Sequence, residues 1–501
     1  MPKIIPFNRP LRPALPIIRG NVDYLSFESE LVRIDELLRQ SGIEELFIEL
    51  RLDDLFTRSA PPETPEPSVH EILRTQKHAS RAIRCMVLKG LLGEGFRGLS
   101  RRIAECPLFQ WFCAVDELIV DVPSKSTLQR YAGALPPEKL AVVIDALTLA
   151  AAGGKDTSVT QPLELAHAVE LDVVWMDSTC VKANIHFPVD WVLLADATRT
   201  LLKAIVLIRG HGLKHRMPEP EQLVRQINRL SIAMTHARRA LDSKRARKRT
   251  LRSIKTIVRV VERHARRYYQ LLQENWAETD WSHAQASQVL GRIDSVLSKL
   301  PAAIIQAHER IIGERKLPNG KKRLSLYEDD VHVIVRGKAG SEVEFGNTLF
   351  LVEQADGLII DFEFSREQAI ADSKWLPKSL ARIEALIGHC PIGVGADRGF
   401  ECKANRELLQ RKNIVNGMCP RDPAELKRRS ADEIFVALQT RRAQTEGRIG
   451  IFKNKMLAGL LRAKGYRNRA AGIAWAVLAH NLWVLARLEK RPAEVPRAAA
   501  A

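Results

Sequence analysis

Apolar positions in the first 155 residues recur at three- and four-residue intervals, which is the spacing of amphipathic helices. The pattern predicts helices over residues 26–40, 43–56, 69–92, 99–105 and 140–152. The proline-rich run from Ser59 to Ser68 interrupts it and is typical of a linker. Further on, Ser124 or Ser126 can cap a short helix that presents Lys125 and Arg130. Short helices ending in a basic one are compatible with a helix-turn-helix, and also with an ordinary helical bundle whose basic face is solvated.

The pattern changes at Leu171, where the sequence LDVVWMD is apolar up to Asp177. Such a run is expected of a buried strand with a carboxylate at its carboxyl end, where α/β sheets place their chemistry. A second run, PIGVGA, ends directly before Asp397. We predict other strands at residues 331–338, 349–352, 358–364 and 414–418, with a hairpin turn at Asp356 and Gly357.

Helical periodicity returns over residues 192–315 and again after the second apolar-to-acid run. Ser365 and Gln368 can form a capping box, which predicts a helix from there to Leu386. The apolar stretch from Ala470 to Ala486 is interrupted by polar residues and short for a membrane span, so we predict a buried core helix.

Residues 441–455 are typical of the middle of a helix that places two cations and one carboxylate on one face. Arg442, Glu446 and Lys453 are separated by four and seven residues, which nearly complete whole helical turns. An apolar stripe beside them can pack on a core, and it consists of Ile449, Phe452 and Met456. By itself this pattern is usually a solvated ion pair.

Composition adds a strong positive charge to this picture. The 77 Lys and Arg residues exceed the 59 Asp and Glu residues, and the formal net charge is +18. This balance favours an anionic partner, nucleic acid first, although ribosomal and membrane-surface proteins share it. Between residues 238 and 267, thirteen cations face only Asp242 and Glu262, which favours contact between Arg245, Arg249 and backbone phosphates. The helix over 69–92 is also expected to carry basic residues on its outer face, namely Arg74, Lys77, Arg81, Arg84 and Lys89.

The seven cysteines have no CxxC or His/Cys metal spacing, and their odd number argues against a disulfide framework. The amino terminus has no apolar run of the kind found in signal peptides. We therefore expect a cytoplasmic protein with reduced cysteines and no membrane association.

With the helical block after Asp177 set aside, the order of elements is that of the ribonuclease H-like fold. In that fold the first and fourth strands are parallel neighbours, so Asp177 and Asp397 would lie side by side. Glu446 follows Asp397 by only 49 residues, so a large insertion must fall between the first and second core strands. The expected fold is therefore multidomain α/β, with a ribonuclease H-like mixed five-stranded sheet flanked by helices.

The expected domains follow this order along the chain. Residues 1–67 form a helical segment with a Pro-rich linker, and residues 68–155 form an all-α, helix-turn-helix-like DNA-binding domain. Residues 170–191 and 325–489 form the catalytic domain, interrupted by a basic helical insertion at 192–324. This insertion would clamp DNA or mediate dimerisation. Residues 490–501 are expected to be a disordered tail.

Three stretches resemble the DDE transposases of bacterial insertion sequences: MDSTCVKANIH around Asp177, GADRGF around Asp397, and RAQTEGRIGIFK around Glu446. The last is similar to the family's tyrosine, arginine, glutamate, lysine signature, with Arg442, Glu446 and Lys453 matching in spacing. Gln439 stands where the tyrosine is expected. The helical region from Ile72 to Tyr131 is also similar to the amino-terminal domain common in the family.

This resemblance implies a DNA transposase that cleaves and joins phosphodiester bonds at the ends of an insertion sequence. Asp177, Asp397 and Glu446 would be catalytic and would hold two Mg²⁺ ions, with Mn²⁺ as a substitute, because hard cations take carboxylate oxygens. Arg442, Lys453 and Arg398 would contact DNA phosphates, together with Lys125, Arg130, Arg245 and Arg249. The implied partners are the double-stranded terminal inverted repeats, target DNA, and further copies of the chain on DNA, in the bacterial cytoplasm at the nucleoid.

Two alternatives stay open at the level of sequence. One is another ribonuclease H-like nuclease, and the other is a transposase-derived DNA-binding protein without cutting activity. The basic amino-terminal helices and the Arg442/Lys453 pair favour the transposase, and the presence of all three acids argues against loss of cutting. Asp172 lies on the opposite strand phase from Asp177 and is a poorer candidate for the site.

Overall fold

The computed structural model describes residues 5–490 apart from residues 10, 59–65, 117–119, 154–162, 187, 238, 240, 339–340, 369 and 458–460. The α-helices are α1 (Val22–Gln40), α2 (Ile43–Arg58), α3 (Val69–Leu92), α4 (Phe96–Glu105), α5 (Pro107–Phe112), α6 (Lys125–Ala132), α7 (Pro137–Ala151), α8 (Asp190–Gly210), α9 (Pro220–Ala237), α10 (Ser243–Asn275), α11 (His283–Leu297), α12 (Leu300–Ala307), α13 (Trp375–Ile387), α14 (Lys403–Arg411), α15 (Pro423–Arg429), α16 (Glu433–Ile451) and α17 (Tyr466–Leu485). The strands are β1 (Val173–Lys182), β2 (His332–Lys338), β3 (Ser341–Gln354), β4 (Ile359–Phe364), β5 (Gly393–Ala396) and β6 (Val415–Met418). Two π-helical turns, His308–Ile312 and Phe452–Met456, continue α12 and α16.

The protein is mixed α/β and divides into two compact units. Unit 1 comprises Met1–Lys182, Thr348–Ser365 and Ala369–Ala501, and unit 2 comprises Ala183–Asn347 and Arg366–Gln368. The tail after residue 490 and the proline-rich residues 59–65 lie outside the described residues.

The sheet is mixed and open, with strand order β2-β3-β1-β5-β6 and with β4 also paired to β3. In unit 1, β4 runs antiparallel to β3, while β1, β5 and β6 run parallel to one another. In unit 2, β2 forms an antiparallel pair with the first part of β3. The predicted turn at Asp356 and Gly357 separates β3 from β4, and Gly357 adopts the left-handed φ of +99° that favours glycine.

The core of unit 1 combines the amino-terminal helices, the sheet and α17. α17 is buried along nearly its whole length, as the interrupted apolar stretch predicted. Its Trp475 ring lies 5.5 Å from the Phe47 ring of α2, and its indole Nε1 donates to the Ala132 carbonyl at 3.0 Å. Burial of one such aromatic side chain stabilises the folded state by roughly 1.5–3 kcal/mol. No helix among the described residues combines the length and apolar content needed to cross a membrane.

The helix α3 corrects one expectation, because two of its predicted outer basic residues are buried. Arg84 is 1% exposed and donates to Asp35 of α1 and to both carboxylate oxygens of Glu44 in α2. Burial is the largest single cause and would raise the pKa of Asp35 and Glu44, but Arg84, together with Arg12 at Asp35 and with Ser80 and Arg9 at Glu44, lowers both pKa values. Arg81 is 2% exposed and donates to two backbone carbonyls. These two buried cations stabilise the packing of α3 against its neighbours and are not accessible to a binding partner.

Short helices do follow α3, with Ser124 as the N-cap of α6, accepting from the Thr127 amide at 3.2 Å. α4 packs against both α5 and α6. However, residues 113–124 separate α5 from α6, which is longer than the turn of about three to four residues in a helix-turn-helix. The DNA-binding assignment of this region therefore stays a prediction.

Unit 2 is built around α10, the longest helix. The positions Leu251, Ile254, Val258, Val261, Ala265 and Tyr268, predicted from their spacing, are all buried against α8, α9 and α11. Arg245 and Arg249 are exposed on the opposite side of α10. This arrangement is the amphipathic division that the sequence indicates, with an apolar stripe inside and cations in solvent.

Two strand and helix predictions were wrong in ways that affect the site. β1 continues beyond Asp177 to Lys182, so this carboxylate is not at the end of its strand. The helix expected from Ser365 begins ten residues later, at Trp375. Ser365 is 3% exposed, and its amide donates to the Thr348 carbonyl, which prolongs the β3–β4 pairing instead of capping a helix.

Candidate active site

The register of β1 and β5 brings Asp177 and Asp397 to neighbouring positions. The parallel pairing of the two strands ends at Met176 and Ala396, and each acid is the next residue. β5 ends at Ala396, whereas β1 continues to Lys182. Asp177 is therefore the first residue of β1 beyond its pairing with β5. Side chains that follow paired residues of adjacent parallel strands lie at one edge of the sheet, so the two carboxylates share it.

Both carboxylates are held by nearby backbone amides. The Ser178 amide donates to Asp177 Oδ1 at 2.7 Å, and the Gly399 amide donates to Asp397 Oδ1 at 2.7 Å. Hydrogen bonds from amides to carboxylate oxygens fix the orientation of each side chain. The remaining carboxylate oxygens can accept from, or coordinate, another group.

The helix α16 is anchored across this edge by side chains of the strands. Trp175 Nε1 of β1 donates to the Leu438 carbonyl at 2.9 Å, and the Arg441 guanidinium lies 4.7 Å from the centre of the Trp175 ring. Gln439 Nε2 donates to the carbonyls of Ala396, at 3.1 Å, and Gly417. Gln439 therefore ties α16 to the ends of β5 and β6, a positioning role that the sequence did not reveal.

A second anchor of α16 is the buried carboxylate of Glu353 on β3. It accepts from Arg441 Nη1 at 2.9 Å and from Thr445 Oγ1 at 2.8 Å. Glu353 is 4% exposed, so removal of its partners would leave a charge in the interior. These bonds fix the rotation of α16 one residue before Glu446.

Glu446 lies on the exposed side of α16 and within electrostatic range of Asp177. Its Oε1 accepts from Arg442 Nη1 at 3.3 Å, and its side chain is 61% exposed. Burial is the largest cause that raises the pKa of Asp177, to about 6. The negative charges of Asp397 and Glu446 raise it further, while the Ser178 amide and Arg442 lower it. The three predicted acids and Arg442 thus belong to one electrostatic cluster.

The other predicted phosphate ligands of this region occupy different positions. Lys453 falls within the π-helical turn Phe452–Met456 rather than in α16, and its Nζ donates to Thr179 Oγ1 of β1 at 3.1 Å. It therefore remains beside the strand that carries Asp177. Arg398 is exposed directly after Asp397. The apolar stripe of Ile449, Phe452 and Met456 is buried, as predicted.

A fourth carboxylate, Asp372, lies beside two of the predicted acids. Its Oδ1 accepts from Ser178 Oγ at 2.7 Å. A Cβ atom added to Gly399 would lie 2.5 Å from Asp372 Oδ2 and 3.0 Å from Asp397 Oδ1, so both oxygens border the same small space. Gly399 is required here because any side chain would collide with these carboxylates. The sequence missed Asp372 because the predicted capping box placed it inside a helix.

The remaining predicted DNA-binding residues are exposed elsewhere in the chain. Lys125 and Arg130 lie on α6 of unit 1, where Arg130 Nη2 donates to Thr127 Oγ1 at 3.1 Å. Arg245 and Arg249 lie on α10 of unit 2. Among the described residues, no group of three or more His, Cys, Asp or Glu side chains is placed closely enough to hold a metal ion as it stands.

Comparison of the chain with models of protein families, with curated proteins and with solved structures finds no match.

Proposed function

We propose that this protein is a DNA transposase of the DDE type, which cleaves and joins phosphodiester bonds at the ends of an insertion sequence. The observation that carries the proposal is the electrostatic cluster of Asp177, Asp397 and Glu446, assembled from two adjacent parallel strands and a helix packed across them. The strand order supports a ribonuclease H-like core, in which β1, β3, β4, β5 and β6 are the five strands. α8 to α12 are then an insertion between its first two strands.

The donor set suits Mg²⁺, because carboxylate oxygens are the ligands that this hard cation prefers. Burial and neighbouring negative charges already raise the pKa of Asp177 to about 6, so a bound cation would offset the repulsion among the acids. Asp177, Asp397 and Glu446 would hold two Mg²⁺ ions, or Mn²⁺ in their place. Bound there, the ions would make the attacking hydroxyl nucleophilic and stabilise the leaving oxygen.

The residues of the chain would hold the acids and the DNA in place. The amides of Ser178 and Gly399 orient Asp177 and Asp397, and Gln439 holds α16 at the ends of β5 and β6. Arg442 balances Glu446 in the absence of DNA and can contact a phosphate of the terminal DNA. Lys453 donates to Thr179, two residues after Asp177 on β1, and would contact a second phosphate.

Cleavage of DNA tests this proposal directly. The substrate is a duplex that ends in the short inverted repeats flanking the gene, incubated with the full chain and Mg²⁺. Asp177→Ala, Asp397→Ala and Glu446→Ala should each lower the cleavage rate at least about 100-fold, because each removes a charged ligand of the reacting centre. The matched control is Asp172→Ala, whose carboxylate is 47% exposed and paired only distantly, at 4.0 Å, with His389.

Two results would contradict the proposal. If all three variants cut as fast as the wild type, the site is wrong. If the wild-type protein binds the repeat duplex tightly but does not cut it with Mg²⁺ or Mn²⁺, the chain is a DNA-binding protein without cutting activity.

A further inference from the structure

Unit 2 contains a surface cavity of about 490 Å³ that is lined mainly by cations. It lies between the first turns of α10 and the π-helical turn His308–Ile312 together with the segment that follows this turn. The residues that line it are Lys244, Arg247, Arg310, Ile311, Glu314, Arg315, Lys316, Leu317, Asn319 and Lys322. Six of these ten are Lys or Arg, and Glu314 is the only acid among them.

Internal ion pairs neutralise this cavity only in part, because they involve three of its six cations, Arg310, Arg315 and Lys244. Arg310 Nη1 contacts both oxygens of Asp190 at 2.8 and 2.9 Å, and Arg315 Nε contacts Glu309 at 3.0 Å. Lys322 Nζ has a neutral partner, the side-chain oxygen of Asn319, at 2.7 Å. Positive charges that are collected in a concave site create a strong local potential for an anion.

Arg247 has a donor that no internal acceptor uses. Within the part of the chain that the structure describes, its buried Nε has no hydrogen-bond partner. A buried donor without an acceptor is unfavourable, so most such groups are satisfied by water or by a ligand. The guanidinium fork of arginine matches the oxygens of a phosphate group.

The carboxylate of Glu314 is the negatively charged group of this cavity. Its carboxylate pairs with Lys244 at 3.2 Å and with Lys248 at 2.8 Å. Its backbone has a left-handed φ of +54°, which is uncommon for a residue other than glycine. Strained backbone of this kind is retained where the surroundings hold it and is frequent at ligand sites. The carboxylate is held by Lys244 and Lys248, so an external anion that enters the cavity would compete with Glu314 for them.

We propose that this cavity binds phosphate groups of the DNA backbone. The clustered guanidinium and ammonium groups fit the multiple oxygens of a phosphodiester, and the cavity has room for more than one phosphate. The inference that the cavity binds an anion depends only on the residues that line it. The inference that this anion is a DNA phosphate rests on the proposed function. The exposed cations at the start of α10, Arg245 and Arg249, would extend the same contact along the backbone.

The first test uses inorganic phosphate as the probe. The thermal midpoint of the full chain is measured against phosphate concentration, with chloride at matched ionic strength. Phosphate should raise the midpoint of the wild type and of the charge-matched control Arg225→Ala/Arg229→Ala, whose arginines are exposed on α9. Arg247→Ala/Lys316→Ala should abolish the rise. Glu314→Gln should respond at lower phosphate concentrations than the wild type, a gain that misfolding cannot produce.

The second test measures the affinity of the full chain for a DNA duplex, by fluorescence anisotropy over a range of salt concentrations. Loss of two phosphate contacts should reduce the slope of log K against log salt by about 2 in Arg247→Ala/Lys316→Ala, and leave it unchanged in the α9 control. If phosphate stabilises the protein but the slope does not change, DNA is not the source of the phosphates. If neither measurement responds, the cavity is not an anion site. Both readouts are independent of cleavage, so they separate this proposal from the proposed function.

Discussion

Asp372 belongs to the candidate site because the local structure differs from the helix predicted there. Asp177, Asp397 and Glu446 could be selected from sequence, because two follow apolar runs and the third lies between spaced cations. Asp372 has no such surroundings, and it joins the others because the predicted α-helix starts only at Trp375, which leaves Asp372 at the beginning of a short 3-10 helix, Asp372–Lys374. The sequence also did not indicate that Gln439 would bond to the carbonyls of two strands. Both contacts depend on tertiary structure that local patterns do not encode.

Asp372→Ala should lower the rate of DNA cleavage by roughly 10- to 100-fold, the usual effect of losing a group that orients catalytic ligands. The physical reason is that Asp372 holds Ser178 Oγ, and the Ser178 amide holds Asp177. The rate should be measured over a range of Mg²⁺ concentrations, because a positioning role predicts a higher Mg²⁺ requirement. Glu384→Ala, at the exposed end of α13, is the control. Wild-type kinetics in Asp372→Ala at every Mg²⁺ concentration would exclude this role.

Asp145 on α7 provides a prediction about pH. Burial is the main cause that raises its pKa to about 6, and the neighbouring charge of Asp361 adds to it. Since the folded pKa lies above the ordinary value of 3.8, the folded state binds the proton more tightly, and stability falls as pH rises from about 4 to about 6. Asp145→Asn should therefore increase the free energy of unfolding at pH 7.5 by about 1–3 kcal/mol, with a smaller gain at pH 4.5. Urea unfolding at both pH values measures this. Glu138→Gln, exposed on the same helix, should show no gain at pH 7.5, and an equal gain for Asp145→Asn at both pH values would contradict the assignment.

At the scale of elements, periodicity located the helices well but misjudged how completely some are buried. The bounds of α3 agree with the prediction at both ends, and Ser68 and Glu71 form its capping box. The error at Arg81 and Arg84 arose because a basic residue was assumed to face solvent. From Ala79 to Leu88 every residue of α3 is buried, so this helix has no outer face there. Helical spacing gives the angle of a side chain, but the neighbours on each side decide its burial.

The contact between α3 and α17 gives an element-scale prediction. A Cβ added to Gly90 of α3 would lie 2.6 Å from the Cβ of Ala479, whereas a Cβ added to Gly447 of α16 would meet no atom within 4 Å. Gly90→Ala should therefore destabilise the protein by about 1–3 kcal/mol through overpacking. Gly447→Ala, also within a helix, should stabilise it by up to about 1 kcal/mol. Chemical denaturation compares the two, and a gain of stability in both variants would show that helix propensity, rather than the close approach of α3 and α17, decides the outcome at Gly90.

At the scale of the whole molecule, the chain alternates between two units that have separate hydrophobic cores. Ile83 belongs to the core of unit 1 and Ile254 to the core of unit 2, and both are fully buried. The order of strands and the long helical block between β1 and β2 could be anticipated from sequence, because both follow from where each pattern begins and ends. The sequence did not predict that the amino-terminal helices and the sheet form one compact unit. This arrangement depends on α17, which packs against both.

Separate cores predict two transitions in differential scanning calorimetry of the full chain. Ile83→Ala and Ile254→Ala remove the same atoms from fully buried sites, and each should cost roughly 2–5 kcal/mol. Because no residue is shared between the cores, Ile83→Ala should lower the midpoint of one transition and Ile254→Ala that of the other. The cationic cavity lies in unit 2, so phosphate should raise only the transition that Ile254→Ala lowers. A single transition that both substitutions lower equally would mean that the two units unfold together, and phosphate would then raise that one midpoint.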